Sequence, residues 1–247
     1  MPILFAILVL IVWEVSTWLF AIPEFILPPP SAIWNAGLSQ PPSIWAGHIW
    51  ATLQVVLLGL GISIVMGGCL AVALALSRNV DRALMPLLIM IQSTPIVALA
   101  PILIVSLGAG SAARTVIVVL ITFFPLVIGI ATGIRATPPE VIELSRSLHA
   151  STSRRLWQVQ IPFALPHAFA ALKVAVTLAV IGAVVAEFVA ADAGLGYAIK
   201  LATSYFRMPQ AFFALGLLIA ISLLLFGAVT WLQRRFFGWT CSSQSRW

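Results

Sequence analysis

Charged side chains are scarce in this sequence. Asp, Glu, Lys and Arg make up 8% of its 247 residues, whereas they make up about a quarter of an ordinary soluble domain. Hydrophobic residues account for 62%, and the mean hydropathy is +1.11. Because this leaves too little polar surface to cover a globule in water, most of the outer face must contact lipid. The composition excludes a soluble protein and indicates a single membrane domain over residues 1–247.

Cysteine and lysine are also rare. Cys69 and Cys241 have no CxxC or Cys/His spacing, so neither a metal site nor a disulfide framework is expected. Lys173 and Lys200 are the only lysines, and neither lies in the G-x-x-x-x-G-K-S/T pattern that binds nucleotide phosphates. No HExxH motif or comparable cluster of nucleophiles is present. These absences predict a chain with no catalytic residues, no metal and no cofactor of its own.

Long hydrophobic runs are abundant instead. A helix needs roughly 20 apolar residues to cross the hydrocarbon core, and six runs of about that length occur, at 3–22, 52–76, 84–107, 115–134, 168–190 and 211–231. The first run lacks a basic n-region and a cleavage site, so we expect it to be a retained helix. Between the first two runs, the proline-rich segment 23–49 predicts an external connection with one interfacial turn. The sequence therefore predicts an all-α polytopic membrane protein with about six transmembrane helices.

The second run carries small residues at intervals of four, at Gly59, Ser63, Gly67, Ala71 and Ala75. This spacing puts them on one face of a helix, where small side chains let another helix approach closely. The pattern predicts a packing seam.

Arginine is distributed unevenly between the loops. With the N-terminus in the cytoplasm, only Arg114, Lys200 and Arg207 fall outside, while the other arginines lie inside: Arg78, Arg82, Arg135, Arg146, Arg154, Arg155, Arg234, Arg235 and Arg246. Such a positive-inside bias places both termini, loop 135–167 and the tail 232–247 in the cytoplasm. The net charge of +6 thus reflects membrane orientation, and no nucleic-acid partner is expected.

Loop 135–167 is too long and too polar for a simple turn. Thr137 and Glu140 follow the capping-box pattern, which predicts a short helix to about residue 148 with Glu143 near its start. Ser151 is placed to cap a second short helix, which Pro162 and Pro166 are expected to stop. Two short helices on the cytoplasmic side would suit docking into a groove of a partner.

The same loop resembles the EAA motif of binding-protein-dependent ABC import permeases. The residues that carry the resemblance, and to which it assigns coupling to an ATPase, are Glu143, Leu144, Ser145, Leu148, His149, Ala150, Ser151 and Pro162. Leu144 and Ser145 stand where the family pattern has two alanines, and His149 stands where it has glycine. Because His tolerates the left-handed conformation better than most residues, we expect the turn to survive the replacement.

The resemblance extends over nearly the whole chain. Segments 26–31, 92–101, 123–125 and 187–197 resemble the subgroup that imports sulfonates, taurine, nitrate or thiamine-pyrimidine precursors. It implies the type I ABC importer permease fold with a cytoplasmic coupling-helix loop, in a bacterial inner membrane. It further implies a homodimer, two copies of a separate cytoplasmic ATPase that binds ATP and Mg, and an external substrate-binding protein.

Polar residues inside the apolar runs are candidates for the translocation path or its gate. Gln92, Ser93 and Thr94 precede Pro95, which breaks the third run, and broken helices often line transport paths. A proline kink satisfied by its own Ser and Thr is an equal alternative. Glu187, near the outer end of the fifth run, is a candidate gate residue.

Three further residues are assigned to structure. Glu14 lies within the first run, where an acid is a functional hypothesis by default, but a hydrogen-bonded glutamate at a helix interface fits a peripheral helix better. His48 and His167 flank apolar runs at the interface.

Two other functions compete with the importer. A secondary transporter or channel would need its own ion pathway, for which two acids without basic partners at matching depth are a weak relay. A membrane enzyme would need convergent catalytic groups, which the motifs do not supply.

Overall fold

The computed structural model describes residues 2–238, so Cys241, Arg246 and residues 239–247 of the predicted tail lie outside the described residues. Within that range every regular element is a helix. They are α1 (Pro2–Leu19), α2 (Pro30–Leu38), α3 (Pro42–Leu76), α4 (Arg78–Ser93), α5 (Ile96–Leu107), α6 (Ser111–Arg135), α7 (Pro139–Ser147), α8 (Thr152–Arg155), a π-helical segment (Leu156–Gln160), α9 (Ile161–Val189), α10 (Leu195–Ser204) and α11 (Met208–Phe236).

Each of the six apolar runs is helical, but not each is a long span. Four helices in the described range are long and apolar enough to cross a membrane: Pro42–Leu76, Ser111–Arg135, Thr152–Val189 and Met208–Phe236. A fifth span results if α4 and α5 count as one, and the first run forms only the shorter apolar helix Leu4–Leu19. The all-α membrane fold is confirmed, with four or five long spans instead of six.

Helices α3, α6 and α9 form the core of the bundle. Gly59, Ser63, Gly67 and Ala71 of α3 are buried, and a Cβ at Gly59 would lie 2.6 Å from the Cβ of Val118 on α6. The Ser63 and Thr122 hydroxyls share a 2.6 Å hydrogen bond between the same two helices. The predicted small-residue seam is therefore confirmed, because only small side chains permit this approach.

The third apolar run is broken in the middle. Helices α4 and α5 meet at an angle of 92° around Thr94 and Pro95. The Ser93 hydroxyl donates to the Ile89 carbonyl at 2.7 Å, and the Thr94 hydroxyl donates to the Met90 carbonyl at 3.0 Å. Pro95 has no N–H to continue the helix, and the Ser93 and Thr94 hydroxyls donate to carbonyls of the last turn of α4 instead. The alternative interpretation expected this arrangement.

The segment between the first two runs is more helical than its prolines predicted. Pro30 and Pro42 each stand in the first turn of a helix, where a missing N–H has no cost. Glu14 on α1 accepts hydrogen bonds from the Ser31 N–H (3.0 Å) and the Ser31 hydroxyl (2.7 Å) at the start of α2. The expectation of a hydrogen-bonded glutamate between helices is confirmed, and the acid caps α2.

The expectation that Pro162 and Pro166 end a short helix is wrong. α8, the π-helical segment and α9 form one continuous helix, Thr152–Val189, of 38 residues. The Ile161 N–H donates to the Leu156 carbonyl, five residues back. This wider turn makes room for the Pro162 ring, which in a regular α-helix would clash with the carbonyl four residues back.

Candidate coupling loop and transport groove

Loop 135–167 is attached to the bundle at its root. Arg135 forms an ion pair with Asp81 at 2.8 Å and donates to the Leu74 carbonyl at 2.7 Å, which joins the end of α6 to the α3–α4 turn. Buried Ile134 and Leu156 pack in one apolar cluster below the loop. These contacts fix where the loop leaves the membrane helices.

The first short helix of the loop, α7, begins differently from the prediction. Its N-cap is Pro138, and the Thr137 hydroxyl donates backward to the Ile134 carbonyl at 3.0 Å instead of capping α7. The prediction of a capping box at Thr137 and Glu140 is therefore wrong. Glu140 lies in the first turn and Glu143 in the middle of the helix, so the helix dipole favours the carboxylate of Glu140 more than that of Glu143.

The turn after α7 has the backbone that the family glycine would supply. His149 has φ 55°, its N–H donates to the Arg146 carbonyl at 2.9 Å, and the Ala150 N–H donates to the Ser145 carbonyl at 3.0 Å. Together they form a Schellman motif with His149 in the left-handed position. The Ser151 hydroxyl then accepts the Arg154 N–H at 3.3 Å, so the predicted cap of the second short helix is confirmed.

Beyond its root, the loop exposes apolar side chains. Leu144 is 61% exposed and Leu148 73%, and their spacing of four puts them on one face of α7. Ser145 is buried and donates to the Ile142 carbonyl, so it faces the bundle. Trp157 is 67% exposed and was not singled out from the sequence. We call Glu143, Leu144, Leu148, His149 and Trp157 the exposed face of the loop.

A groove of about 550 Å³ lies between α4, α6 and α9, within the usual size range of small-molecule sites. Its lining comprises Gln92, Phe124, Pro125, Ile128, Gly129, Thr132, His167, Ala170, Ala171 and Val174. Gln92 reaches it from the last turn of α4, just before the 92° bend. The break in the third run thus places a polar side chain against the core helices.

Comparison with known proteins connects this architecture to a family. Residues 59–238 match the model of the binding-protein-dependent transport system inner membrane component. A probable ABC transporter permease protein of Haemophilus influenzae is 34% identical over 95% of this chain and 96% of its own length. The chain belongs to this family.

Two further relatives and one solved structure resemble this permease subunit of an ABC importer. The riboflavin transport system permease protein RibX of Chloroflexus aurantiacus is 36% identical over 95% of this chain and 88% of its own. The formylaminopyrimidine transport permease protein ThiX of Halalkalibacterium halodurans is 32% identical over 96% and 95%. An inward-facing MetNI methionine ABC transporter chain has a TM-score of 0.67 at 22% identity, over 79% of this chain and 98% of that one. The predicted family and fold are confirmed.

The permease groove does not bring all the predicted path residues together. Of these, only Gln92 lines it, while the Ser93 and Thr94 hydroxyls are bonded to the backbone of α4. His167, which the sequence analysis assigned to structure, also lines the groove. A sequence cannot show which polar side chains of a helix lack an internal partner.

Glu187 occupies a different place in the permease. Its side chain is fully buried, and its Oε2 accepts the Gly196 N–H at 2.6 Å. Thr52 accepts the Leu195 N–H at 2.8 Å, and His48 Nδ1 accepts the Gly194 N–H at 3.1 Å. These three side chains hold the first turn of α10, so His48 has the structural role expected of it. A gating role for Glu187 would act through this turn, since Glu187 does not line the groove.

Proposed function

We propose that this permease subunit works as a homodimer with two copies of a separate ATPase and an external substrate-binding protein. The ATPase would bind ATP and Mg, and its closure would push loop 135–167, so that the helices alternate between outward-open and inward-open arrangements. The observation that carries this proposal is the exposed face of the loop, where Leu144, Leu148 and Trp157 present apolar side chains beside the Schellman turn.

The arginine distribution supports the orientation. In this proposal α1 also crosses the membrane, so both termini, loop 135–167 and the tail 232–247 lie in the cytoplasm of a bacterial inner membrane. Arg78 and Arg82 flank Asp81, the partner of Arg135, and Arg154 and Arg155 lie in the loop itself, which puts these arginines at one end of the bundle. Leu144, Leu148 and Trp157 then face the compartment in which an ATPase would meet them.

The groove between α4, α6 and α9 is proposed as one side of the translocation path. Relatives carry names for solutes as different as formylaminopyrimidine, riboflavin, taurine, aliphatic sulfonates and bicarbonate. The cargo proposed here is a small solute such as a sulfonate, taurine, nitrate, a thiamine-pyrimidine precursor or a similar compound.

The test is a charge reversal on the exposed face. Glu143→Lys should lower the amount of co-expressed ATPase that co-purifies with the chain by at least about tenfold, a loss of about 1.4 kcal/mol of binding free energy, because a basic partner would then meet a like charge. ATP-driven uptake should fall with it. Since Glu143 is exposed in the middle of α7, membrane insertion should be unaffected.

The control is the same reversal at Glu24, an exposed acid in the connection between α1 and α2. Glu24→Lys should leave ATPase retention unchanged. If Glu143→Lys retains normal ATPase binding and normal ATP-driven uptake, the coupling role of the loop is refuted. Uptake by the wild type that persists without ATP hydrolysis would instead favour a secondary transporter.

A further inference from the structure

Three helix ends meet at the guanidinium group of Arg135. This residue ends α6, and its Nη2 both donates to the Leu74 carbonyl near the end of α3 and lies 2.8 Å from Oδ1 of Asp81. The last carbonyls of a helix have no partner within it, and an arginine can supply the missing donor. Asp81 stands in the first turn of α4. One side chain therefore links the end of α3, the start of α4 and the root of loop 135–167.

The contact between Asp81 and Arg135 differs from an ordinary surface ion pair. Both side chains are partly exposed, but the Asp81 Oδ1 atom that faces the guanidinium group is itself buried. An ion pair in water contributes little, whereas a carboxylate oxygen shielded from water depends on its partner for compensation. Within the described range 2–238 this is the only ion pair. Loss of either charge should therefore release the first turn of α4 from the loop root.

Helix α4 has few other attachments to the bundle. Of its 16 residues, all of them described, only Leu88 is buried, whereas α3 buries nine residues and α6 buries ten. Leu88 belongs to an apolar cluster with Ala71 and Leu74 of α3. Apolar packing thus holds the middle of α4, while the ion pair holds its first turn at the loop root.

The loop and the groove lie at the two ends of this connection. At the loop end, Ile134 precedes Arg135 and packs against Leu156 of the continuous helix that follows the loop turn. At the other end, α4 reaches the groove residue Gln92, eleven residues and about 16 Å beyond Asp81 at the rise of an α-helix. A displacement of the loop root would therefore be applied directly to the helix that carries one side of the groove.

We propose that Asp81 and Arg135 are positioning residues of the coupling mechanism, which make α4 follow the loop when the ATPase acts on it. This inference rests on the proposed function of the loop. Without the ion pair, the loop would still bind the ATPase through its exposed face and would still move. Helix α4 would lag behind, and Gln92 would stay in place.

Pulsed EPR on the full-length chain, co-purified with the ATPase in lipid nanodiscs, tests this proposal. In a background with Cys69 and Cys241 replaced by alanine, each chain carries one spin label, either at Ser153→Cys on the loop or at Met90→Cys near the groove end of α4. Both positions are exposed. In a homodimer each label faces its own copy, so each variant gives one distance. Trapping with ATP and vanadate should shift both distances in the otherwise unchanged chain.

The variants separate movement of the loop from movement of α4. In Asp81→Asn, the loop distance should shift as before, whereas the α4 distance should lose most of its shift. Arg135→Gln should give the same loss from the other side of the pair, and Asp81→Glu, which keeps the carboxylate, should restore the shift. A loss confined to α4, with the loop shift and ATPase retention intact, cannot come from misfolding.

Arg82→Gln is the matched control, because it removes an exposed arginine beside Asp81 and leaves the ion pair intact. It should keep both shifts. A full α4 shift in Asp81→Asn, or an equal loss in Arg82→Gln, would overturn the proposal. It would also be overturned if the loop moved and α4 did not in the chain that keeps the pair.

Two outcomes concern the proposed function instead. If the ATPase is retained and the loop moves, the importer role stands whatever α4 does. If the wild-type chain does not retain the ATPase, or gives no distance between two copies, the proposed complex itself fails, and with it the coupling on which this inference rests.

Discussion

Two tight turns at opposite ends of one helix are built in different ways. The turn at 147–151 closes by its own backbone, through the Schellman bonds around His149. The turn at 190–197 is held by side chains from elsewhere, since Glu187, Thr52 and His48 accept the N–H groups of three successive residues. The first exposes Leu148 and His149, whereas the second encloses a buried acid.

We call the turn at 147–151 the exposed turn and the turn at 190–197 the anchored turn. A turn that satisfies its own hydrogen bonds leaves its side chains free to contact a partner, and substitutions there should change binding more than folding. A turn whose N–H groups depend on α3 and α9 is part of the core, and substitutions there should change folding first. The following predictions test this contrast, from the largest expected effect to the smallest.

The two turns should lie on opposite sides of the membrane. In a background with Cys69 and Cys241 replaced by alanine, Ser204→Cys should react with a membrane-impermeant maleimide on intact cells, and Ser153→Cys should react only after permeabilisation. Both positions are exposed, so burial does not limit the reaction. Equal labelling of both from outside would refute the topology.

The anchored turn should tolerate no added methyl group at Gly194. This residue has φ 123° and ψ 163°, a region open almost only to glycine, and a Cβ there would overlap the Glu187 carboxyl group. Gly194→Ala should cost about 3 kcal/mol of stability, measured as thermal unfolding in detergent. The control Gly110→Ala, with φ −81° and open space around it, should behave like the wild type; an equal loss in both variants would contradict the anchor.

Stability should change less on substitution in the exposed turn, and glycine at its left-handed position should raise it. His149 holds φ 55°, which a side chain adopts at some cost and glycine adopts freely. His149→Gly should therefore raise stability by about 0.5 kcal/mol, and His149→Val should lower it by about 1 kcal/mol. The same unfolding assay measures both, and a loss of stability in His149→Gly would show that the imidazole makes a contact that the turn needs.

The sequence predicted the local features of this permease better than its long-range ones. The Ser151 cap follows from neighbouring residues, left-handed His149 follows from the family pattern that has glycine at this position, and the small-residue seam follows from helical spacing. The Thr137 cap failed because Pro138 takes the N-cap position, and the hydroxyl found a carbonyl on α6 instead. Glu187 lies near the end of α9, as its place in the fifth run predicted, but its contact with the Gly196 N–H could not be predicted, because the position of that turn also depends on α3.

The residues that line the groove show the same limit of sequence-based prediction. The Gln92 side chain was expected on the path because Pro95 marks a break that is visible in the sequence. Thr132 and His167 give no such sign, since a threonine in a membrane helix usually bonds to its own backbone, as Thr122 and Thr177 do. Only the packed structure shows which hydroxyl is left without a partner.

The length of the continuous helix Thr152–Val189 has a consequence for the proposed coupling to an ATPase. Its 38 residues correspond to a length of about 57 Å at the rise of an α-helix. This is enough to run from the loop through the bundle to Val189, two residues beyond Glu187. Within this helix, the π-helical turn at Leu156–Gln160 is the place where the regular hydrogen-bond register changes. If an ATPase acts on the loop at Ser151 as proposed, a displacement there would pass through this π-helical turn and along the helix to the turn before α10, which Glu187 holds.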